Sequence, residues 1–339
     1  MKKAFLSVLS ILFLCACSSN PSTSESSSSS KPAKKEVDMI LVAGQSNAAG
    51  YSPIQSNQTE TYLNVTYAGE TDRTLRGDTM TIGSDYLSSP SKYVHGVRGG
   101  LGYSNEHIGP EYGIAKALND DYVGDKELVI AKTAAGGTTL SDVDSNLSGV
   151  YGNWYPRSLW NDGYEPNIDE ASKNNPATGL LYKLLVENFT KVFNTYKKDG
   201  YSINVLGVCW MQGESDADLG SGYVYNYGKL LTAFIKDLRL DVAELTGLTE
   251  DEEGLPFVIG KIAPTYYGYN RSINFSIREK QEEVATALEG VDTVETDDLI
   301  VVQKDGSYNE GCVDPWHFNF KDMVTFGGRF AEKIKELNR

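Results

Sequence analysis

The sequence predicts an α/β domain built around a doubly wound parallel sheet of about five strands. Its apolar runs are continuous rather than alternating, which is typical of strands that are covered on both faces. Amphipathic helical patterns separate these runs, and this alternation of strand and helix is characteristic of a doubly wound sheet. The 339 residues, 40% of them hydrophobic, are enough to bury a large core.

Four continuous apolar segments of strand length are the main strand candidates. They are MILVA at 39–43, ELVIAKT at 127–133, INVLGVCW at 203–210 and PFVIGKI at 256–262. A weaker fifth candidate is LIVV at 299–302. Together these segments account for the expected central sheet.

Helical periodicity is clearest over residues 180–196. Apolar residues recur there with the spacing of one helix face, and KKDG follows with a basic last turn and a glycine stop. Further helices are predicted over about 224–246, 270–289 and 320–337. Because no internal repeat or second-domain boundary is visible, we expect one domain over residues 37–339.

Two connections, 44–126 and 134–202, are longer than ordinary loops, so they must contain extra elements or functional loops. In an open parallel sheet, ligands bind beyond the carboxyl ends of the strands. Both connections start from such ends. This edge of the sheet is therefore the expected place of a functional site.

Residues 1–16 have the features of an export signal. A basic start precedes an apolar stretch, Ala4–Leu14, that is too short to span a bilayer. The segment Leu14–Cys17 resembles a bacterial lipobox, in which the cysteine is lipidated and becomes the first mature residue. The serine-rich stretch 17–36 is typical of a flexible tether. We expect an exported protein anchored through Cys17 to the bacterial cell membrane and facing outward; an ordinary cleaved signal is the alternative.

Acidic residues outnumber basic ones by 46 to 31, and the formal net charge is −15 at pH 7. Binding to nucleic acid needs clustered Lys and Arg, which no segment supplies, so we expect no nucleic-acid partner. A neutral or weakly charged small molecule fits better. Two cysteines outside the signal, Cys209 and Cys312, could form a disulfide or remain as free buried thiols.

The first strand candidate runs into Gly-Gln-Ser-Asn at 44–47. Gly44 permits a tight bend, and the backbone N–H of Ser46 would lie near a helix start. Ser46 is therefore either a nucleophile at the end of a strand or a serine that caps or turns the chain. This segment alone leaves both interpretations open.

The segment DPWH places Asp314 three residues before His317, just ahead of the last predicted helix. The aspartate can accept the imidazole N–H and hold the tautomer whose other nitrogen acts as a base. A solvated pair of turn residues is the alternative. A metal site would need further ligands at recognisable spacing, and the sequence lacks them, so no metal is expected.

A third polar segment, QGESD at 212–216, follows the strand candidate that ends at 210. The side-chain amide of Gln212 could donate to a developing oxyanion. The alternative is a polar helix start, where the helix dipole favours an acidic residue such as Glu214 or Asp216.

Four motifs in this order resemble the SGNH hydrolase superfamily: GQSNAAG at 44–50, AAGGTTL at 134–140, WMQGESD at 210–216 and DPWH at 314–317. They are similar in particular to its branch of sialate O-acetylesterases and carbohydrate esterase family 6, across residues 38–339. The resemblance implies a three-layer α/β/α sandwich of the flavodoxin-like SGNH type. It also implies a serine esterase that removes acetyl groups from sugars and uses neither a cofactor nor a metal.

The resemblance assigns a catalytic triad of nucleophile, base and acid, namely Ser46, His317 and Asp314. It assigns the oxyanion hole to the backbone N–H of Ser46, the N–H of Gly136 or Gly137, and the amide of Gln212. Glu214 would support the loop that carries Gln212. Glu214 is also the alternative partner for the imidazole.

Two aromatic-rich loops are candidates for sugar recognition. One contributes Trp154 and Trp160, and the other contributes Tyr266 and Tyr267. Aromatic faces with a polar handle suit stacking on a sugar ring. Packing that holds a long loop in place is the alternative.

Three functions fit these features: a carbohydrate O-acetylesterase, a surface lipoprotein that binds sugar without turnover, and an SGNH lipid or aryl esterase or thioesterase. The three triad residues favour an enzyme, and loops rich in Tyr, Asn, Asp and Gly favour a sugar over a long acyl chain. We predict a carboxylic ester hydrolase whose substrate is an acetylated carbohydrate, either polysaccharide or sialic acid. Its only membrane contact would be the lipid anchor, and no oligomeric state is predicted.

Overall fold

The computed structural model describes residues 35–55, 60–70, 94–142, 152–161, 163, 178–247, 254–264 and 271–339. The strands are β1 Glu36–Gly44, β2 Ser52–Pro53, β3 Tyr62–Glu70, β4 Val94–Val97, β5 His107–Ile108, β6 Lys126–Ala134, β7 Ser202–Met211, β8 Phe257–Gly260 and β9 Val291–Val294. The helices are α1 Ser46–Ala49, α2 Pro110–Leu118, α3 Leu180–Lys198, α4 Glu214–Asp218, α5 Ser221–Thr246, α6 Arg271–Ala287 and α7 Phe320–Leu337. Short 3-10 turns occupy Asn119–Asp121 and Arg157–Leu159.

The central sheet contains seven of the described strands, in the order β4-β3-β6-β1-β7-β8-β9. All neighbours pair in parallel except β3 and β4, which are antiparallel. Helix α3 packs on β6 and β7, whereas α2 and α7 pack against each other on the opposite face of the sheet. The prediction of a doubly wound α/β/α sandwich is confirmed, although the sheet has seven strands rather than about five.

The continuous apolar runs became strands because the sheet is covered on both faces. In β1, every side chain from Met39 to Ala43 is buried, so no residue of this run faces water. The four main strand candidates correspond to β1, β6, β7 and β8. The four predicted helices correspond to α3, α5, α6 and α7.

The fifth strand candidate, 299–302, is wrong. Only Val302 of this segment pairs, in an isolated bridge with Tyr308. The sheet instead ends with β9, a short edge strand that starts eight residues earlier. Strands β3 and β4 also lie within the first long connection, which therefore contains sheet as well as loop.

The predicted signal 1–16, the tether 17–36 up to residue 34, and Cys17 lie outside the described residues. Every described residue belongs to one unit, Lys34–Arg339. None of the helices within the described ranges combines the length and apolar character that crossing a membrane requires. Cys209 is buried and Cys312 is half-buried, and both thiols are free.

Candidate active site

Three neighbouring strands end side by side at one edge of the sheet. The last residue of β1, Gly44, pairs with Ala134 at the end of β6 and with Met211 at the end of β7. The three motifs that follow these strands therefore start from the same edge, as expected for a parallel sheet. Gly44 has φ 137°, and a Cβ there would lie 1.9 Å from the carbonyl oxygen of Met211. Only glycine can make this bend.

Ser46 is the first residue of α1 and is buried, with 6% of its surface exposed. The N-cap position is Gln45, and no described side chain caps the helix. The interpretation of Ser46 as a capping serine is therefore wrong. Gln45 bonds the turn before α1 to the start of α4: its Oε1 accepts the N–H groups of Gly213 and Ser215, each at 3.2 Å.

Asp314 and His317 form a close pair on the loop before α7. Nδ1 of His317 lies 2.6 Å from Oδ2 of Asp314. The other carboxylate oxygen accepts the backbone N–H groups of Trp316 and His317, each at 2.9 Å. Burial raises the pKa of Asp314, but the His317 contact and the two N–H donors outweigh burial and hold the pKa below its usual range. The carboxylate is thus ionised and can orient the imidazole.

Asn47 connects the turn that carries Ser46 (the serine turn) to the loop that carries His317 (the histidine loop). Its Nδ2 donates to the carbonyl oxygen of Trp316 at 3.1 Å, and its Oδ1 accepts the N–H of Phe318 at 3.3 Å. These are the residues on either side of His317, and Asn47 directly follows Ser46. Asn47 therefore holds the loop that carries His317 against the turn that carries Ser46. The sequence does not indicate this role of Asn47, because the contact spans 269 residues.

Tyr51 is a second site residue that sequence reasoning missed. Its ring stacks on the His317 imidazole, with centroids 4.7 Å apart and planes at 23°. Tyr103 stacks on the other side of the Tyr51 ring at 4.3 Å. The imidazole is thus held at Nδ1 by a carboxylate and on one face by an aromatic ring. The one feature of the sequence that could have indicated this role is that Tyr51 directly follows the GQSNAAG motif.

Gly136 and Gly137 follow β6 at the same edge. The N–H of Ala135 donates to the carbonyl oxygen of Gly44 at 3.0 Å, which places the glycine pair beside the serine turn. Gly137 has φ 66°, a conformation that favours glycine. The structure thus brings both predicted donors close to the start of α1.

Gln212 does not point its amide toward Ser46 as predicted. The side chain is fully buried, and its Nε2 donates to the Thr138 carbonyl oxygen at 3.0 Å and to Oδ2 of Asp216 at 2.6 Å. Both N–H bonds of the amide are thereby used, so the prediction of an oxyanion donor is wrong. One of these partners, Thr138, lies 74 residues away in the sequence, so no local pattern reveals this contact.

Asp216 explains what Gln212 does instead. This fully buried carboxylate accepts the N–H groups of Leu140 and Ser141 at 2.8 and 3.1 Å, and the Ser141 hydroxyl at 2.6 Å. Burial raises the pKa of Asp216, while these hydrogen bonds oppose the shift. Asp216 and Gln212 together hold the segment that follows Gly136 and Gly137. Their role is to hold in place the loop that contains these two glycines.

Glu214 is hydrogen-bonded to Asn47 rather than to the imidazole. Its Oε1 accepts from Nδ2 of Asn47 at 2.9 Å, and its Oε2 is buried without a partner among the described residues. Burial raises the pKa of Glu214, whereas its own backbone N–H, Asn47 and the charge of His317 oppose this shift. Within the described ranges, the carboxylate that accepts from His317 Nδ1 is that of Asp314 and not that of Glu214.

Trp154 is a core residue, which corrects the expectation that it stacks on a sugar. It is fully buried, its Nε1 donates to Oγ1 of Thr138 at 2.8 Å, and its ring packs edge-on against Trp210 at 5.3 Å. Trp160 packs edge-on against Tyr182, and its Nε1 donates to a backbone carbonyl at 3.2 Å. Both observations favour the packing alternative. Tyr266 and Tyr267 lie outside the described residues.

The other two histidines have hydroxyl partners. His95 Nδ1 lies 3.0 Å from Oγ1 of Thr66, and His107 Nδ1 lies 2.6 Å from Oγ of Ser104. Burial lowers the pKa of His107, with a smaller opposing effect of Glu106. In the part of the chain that the structure describes, no group of three His, Cys, Asp or Glu side chains is arranged to hold a metal ion.

A buried ion pair lies beneath α1 and contacts the end of this helix. Nζ of Lys132 lies 2.8 Å from Oε2 of Glu111, and both side chains are fully buried. The same ammonium donates to the carbonyl oxygens of Ala49, at the end of α1, and of Leu101. Oε1 of Glu111 accepts the N–H of Gly109 at 2.8 Å. The pair therefore joins the serine helix, β6 and the start of α2.

Solved structures share this fold at low sequence identity. NanS superposes with a TM-score of 0.58 at 16% identity, covering 89% of this chain and 98% of NanS. A protein from Arabidopsis thaliana superposes with a TM-score of 0.54 at 17% identity, covering 88% and 98%. A carbohydrate acetylesterase from Xanthomonas citri gives 0.50 at 16% identity, covering 88% of this chain and 56% of that one.

No curated protein matches the sequence of this chain. The family model described as "SASA: Carbohydrate esterase, sialic acid-specific acetylesterase" matches residues 36–336, which include the four motifs at 44–50, 134–140, 210–216 and 314–317. This match covers most of the chain and agrees with the resemblance drawn from the four motifs. The chain therefore belongs to the carbohydrate esterase family of sialic acid-specific acetylesterases.

Proposed function

We propose that the protein is a carbohydrate O-acetylesterase that forms an acetyl-enzyme on Ser46. The family match supports ester hydrolysis on acetylated sugars. The observation that supports the mechanism is the position of the Asp314–His317 loop against the turn that carries Ser46. The pair is joined at 2.6 Å, and Asn47 bonds both neighbours of His317. A nucleophile, a base and an acid that orients the base are the parts that acyl transfer requires.

In the proposed reaction, the oxygen of Ser46 attacks the acetyl carbonyl carbon while Nε2 of His317 takes the hydroxyl proton. The N–H groups of Ser46 and of Gly136 or Gly137 stabilise the negative charge that develops on the carbonyl oxygen. The ester C–O bond then breaks, and His317 returns the proton to the sugar oxygen. Water activated by the same imidazole hydrolyses the acetyl-serine and releases acetate.

Acetate release tests this proposal. Soluble residues 37–339 are incubated with acetylated polysaccharide and with acetylated sialic acid, and acetate is measured for the wild type and for Ser46→Ala. We expect release by the wild type on at least one substrate, and its loss in Ser46→Ala. The matched control is Ser158→Ala, which removes an exposed hydroxyl. A folded Ser46→Ala protein that keeps near wild-type release would disprove the serine mechanism.

Acyl-chain length separates the proposed substrate class from a lipid esterase. The acetyl group is small, so a site adapted to it should give a higher kcat/KM for acetyl than for octanoyl esters of the same alcohol. Equal or better turnover of octanoyl esters would favour a lipid esterase of the same superfamily. Binding of acetylated sugar without turnover would favour the sugar-binding lipoprotein.

We also propose that Cys17 carries a lipid that anchors the protein to the outer face of the cell membrane. The support is the sequence pattern, in which Cys17 follows an apolar stretch and precedes a serine-rich tether. Cys17→Ser should abolish lipid attachment and membrane retention, and Cys15→Ser is the matched control. Normal processing and membrane binding of Cys17→Ser would show that the anchor prediction is wrong.

A further inference from the structure

Trp316 differs from the other three tryptophans of this chain. Trp154 and Trp210 are fully buried against each other, and Trp160 packs on Tyr182. Trp316 is 52% exposed, and among the described residues its indole has neither a hydrogen-bond partner nor a ring contact. A large apolar ring with a free N–H donor is thus available at the surface.

The backbone of Trp316 is held although its side chain is exposed. Its N–H donates to Oδ1 of Asp314 at 2.9 Å, and its carbonyl oxygen accepts from Nδ2 of Asn47 at 3.1 Å. Both partners belong to the proposed site, and His317 is the next residue. The ring therefore starts from a fixed point beside the proposed base, so little backbone freedom would be lost when a ligand packs on it.

The direction of proton transfer decides which part of the substrate Trp316 would meet. In acyl transfer the base returns its proton to the leaving oxygen, so that oxygen must lie at the imidazole. In a sugar acetate the leaving oxygen belongs to the sugar. The sugar ring must therefore lie on the His317 side of the reacting carbon, near the residues that flank this histidine.

We propose that the Trp316 indole is the surface on which the sugar ring of the acetylated substrate packs, with the indole N–H donating to a sugar hydroxyl. The inference deepens the proposed function and rests on it. A sugar ring presents a C–H face bordered by hydroxyl groups, and an indole offers an apolar face with a polar edge. Trp316 thus takes the recognition role that sequence reasoning gave to the buried Trp154.

Steady-state kinetics test the proposal with two substrates, an O-acetylated monosaccharide and ethyl acetate, which has no ring. We expect Trp316→Ala to raise KM for the sugar acetate about 3- to 10-fold, as for loss of an aromatic contact, with kcat nearly unchanged. Kinetics on ethyl acetate should stay as in the wild type. Trp316→Phe keeps a ring but lacks the N–H, so its KM should be intermediate. The backbone bonds to Asp314 and Asn47 survive both substitutions.

Leu63→Ala is the control for loss of an exposed apolar side chain. Leu63 is 76% exposed and lies at the amino-terminal end of β3, at the edge of the sheet opposite the site. We expect it to change neither substrate's KM. An unchanged KM of Trp316→Ala for the sugar acetate, or an equal rise for ethyl acetate, would overturn the proposal.

Binding to the Ser46→Ala protein separates this proposal from the proposed function. Calorimetry measures the affinity of that variant for the acetylated monosaccharide, with and without Trp316→Ala. Weaker binding without the indole supports the sugar surface even if the wild type releases no acetate, a result that would reject only the esterase. Equal affinity of Ser46→Ala and of the double variant for the acetylated monosaccharide, or no binding by either, would overturn the proposal that Trp316 packs on the sugar.

Discussion

At the scale of single residues, the His317 imidazole is oriented from two directions. Asp314 lies 2.6 Å from Nδ1, and the Tyr51 ring stacks on one face at 4.7 Å. A carboxylate at Nδ1 fixes the tautomer that leaves Nε2 free as a base. In the proposed mechanism, the carboxylate would also favour the imidazolium formed when His317 takes the Ser46 proton.

Asp314→Asn should lower kcat by about 10⁴-fold, the effect measured for a misoriented histidine in another serine hydrolase. The amide would donate to Nδ1 and select the wrong tautomer. Initial rates on an acetylated sugar check this, with circular dichroism to establish that the variant is folded. Asp305→Asn, in an exposed turn with Ser307, is the matched control. A fully active Asp314→Asn beside an inactive Glu214→Gln would transfer the orienting role to Glu214.

At the scale of elements, the Lys132–Glu111 pair joins β6, α1 and α2 under the serine turn. Both side chains are fully buried at 2.8 Å, and Lys132 also bonds the last residue of α1. A buried ion pair is not a strong net source of stability, but removing one partner leaves an uncompensated buried charge. Removing one member of the pair should therefore destabilise the fold more than removing both charges together.

Lys132→Met should lower the free energy of unfolding by about 3–5 kcal/mol, because it leaves the Glu111 carboxylate unpaired. Adding Glu111→Gln should restore much of the loss, since the new side chain is neutral and can still accept the Gly109 N–H. Urea denaturation measures both. Lys280→Met is the surface control, because its pair with Glu283 is partly exposed and should contribute less than about 1 kcal/mol. A double variant as unstable as the single one would contradict this account.

At the scale of the whole molecule, stability should depend on acidic groups whose pKa is lowered in the folded state. Burial raises the pKa of Glu295, but the hydrogen bonds from Lys261 and the Thr296 N–H, with the charges of Lys261 and Arg278, lower it to about 2. An unfolded glutamate titrates near about 4.3. The folded state therefore binds this proton less readily than the unfolded state does.

Glu295→Gln should lower the melting temperature most above pH 5, where the wild-type carboxylate is ionised and paired in the folded state. The difference should shrink as the pH falls below about 4.3 and vanish near pH 2, because protonation removes the advantage of the folded state. Thermal unfolding of both proteins between pH 2 and 7 checks this. Glu289→Gln removes one exposed negative charge as a control. A difference that does not depend on pH would contradict the assignment.

The sequence by itself determined the elements whose signal is local. Central strands such as β1 are continuous apolar runs because both faces are covered, and α7 has helical periodicity with a capping Asn319 before it. The Asp314–His317 contact was also predictable, since it spans three residues of one loop. The strands β3, β4 and β9 were missed because an edge or partly exposed strand lacks a continuous apolar run.

Only the tertiary structure decided how the motifs meet. Asn47 reaches the histidine loop across 269 residues, and Gln212 donates to Thr138 across 74 residues, so no local pattern could reveal either partner. The same holds for burial, which placed Trp154 in the core and left Trp316 at the surface. Residue type and spacing determine what a side chain can do, whereas its partners depend on which distant segments the sheet brings to one edge.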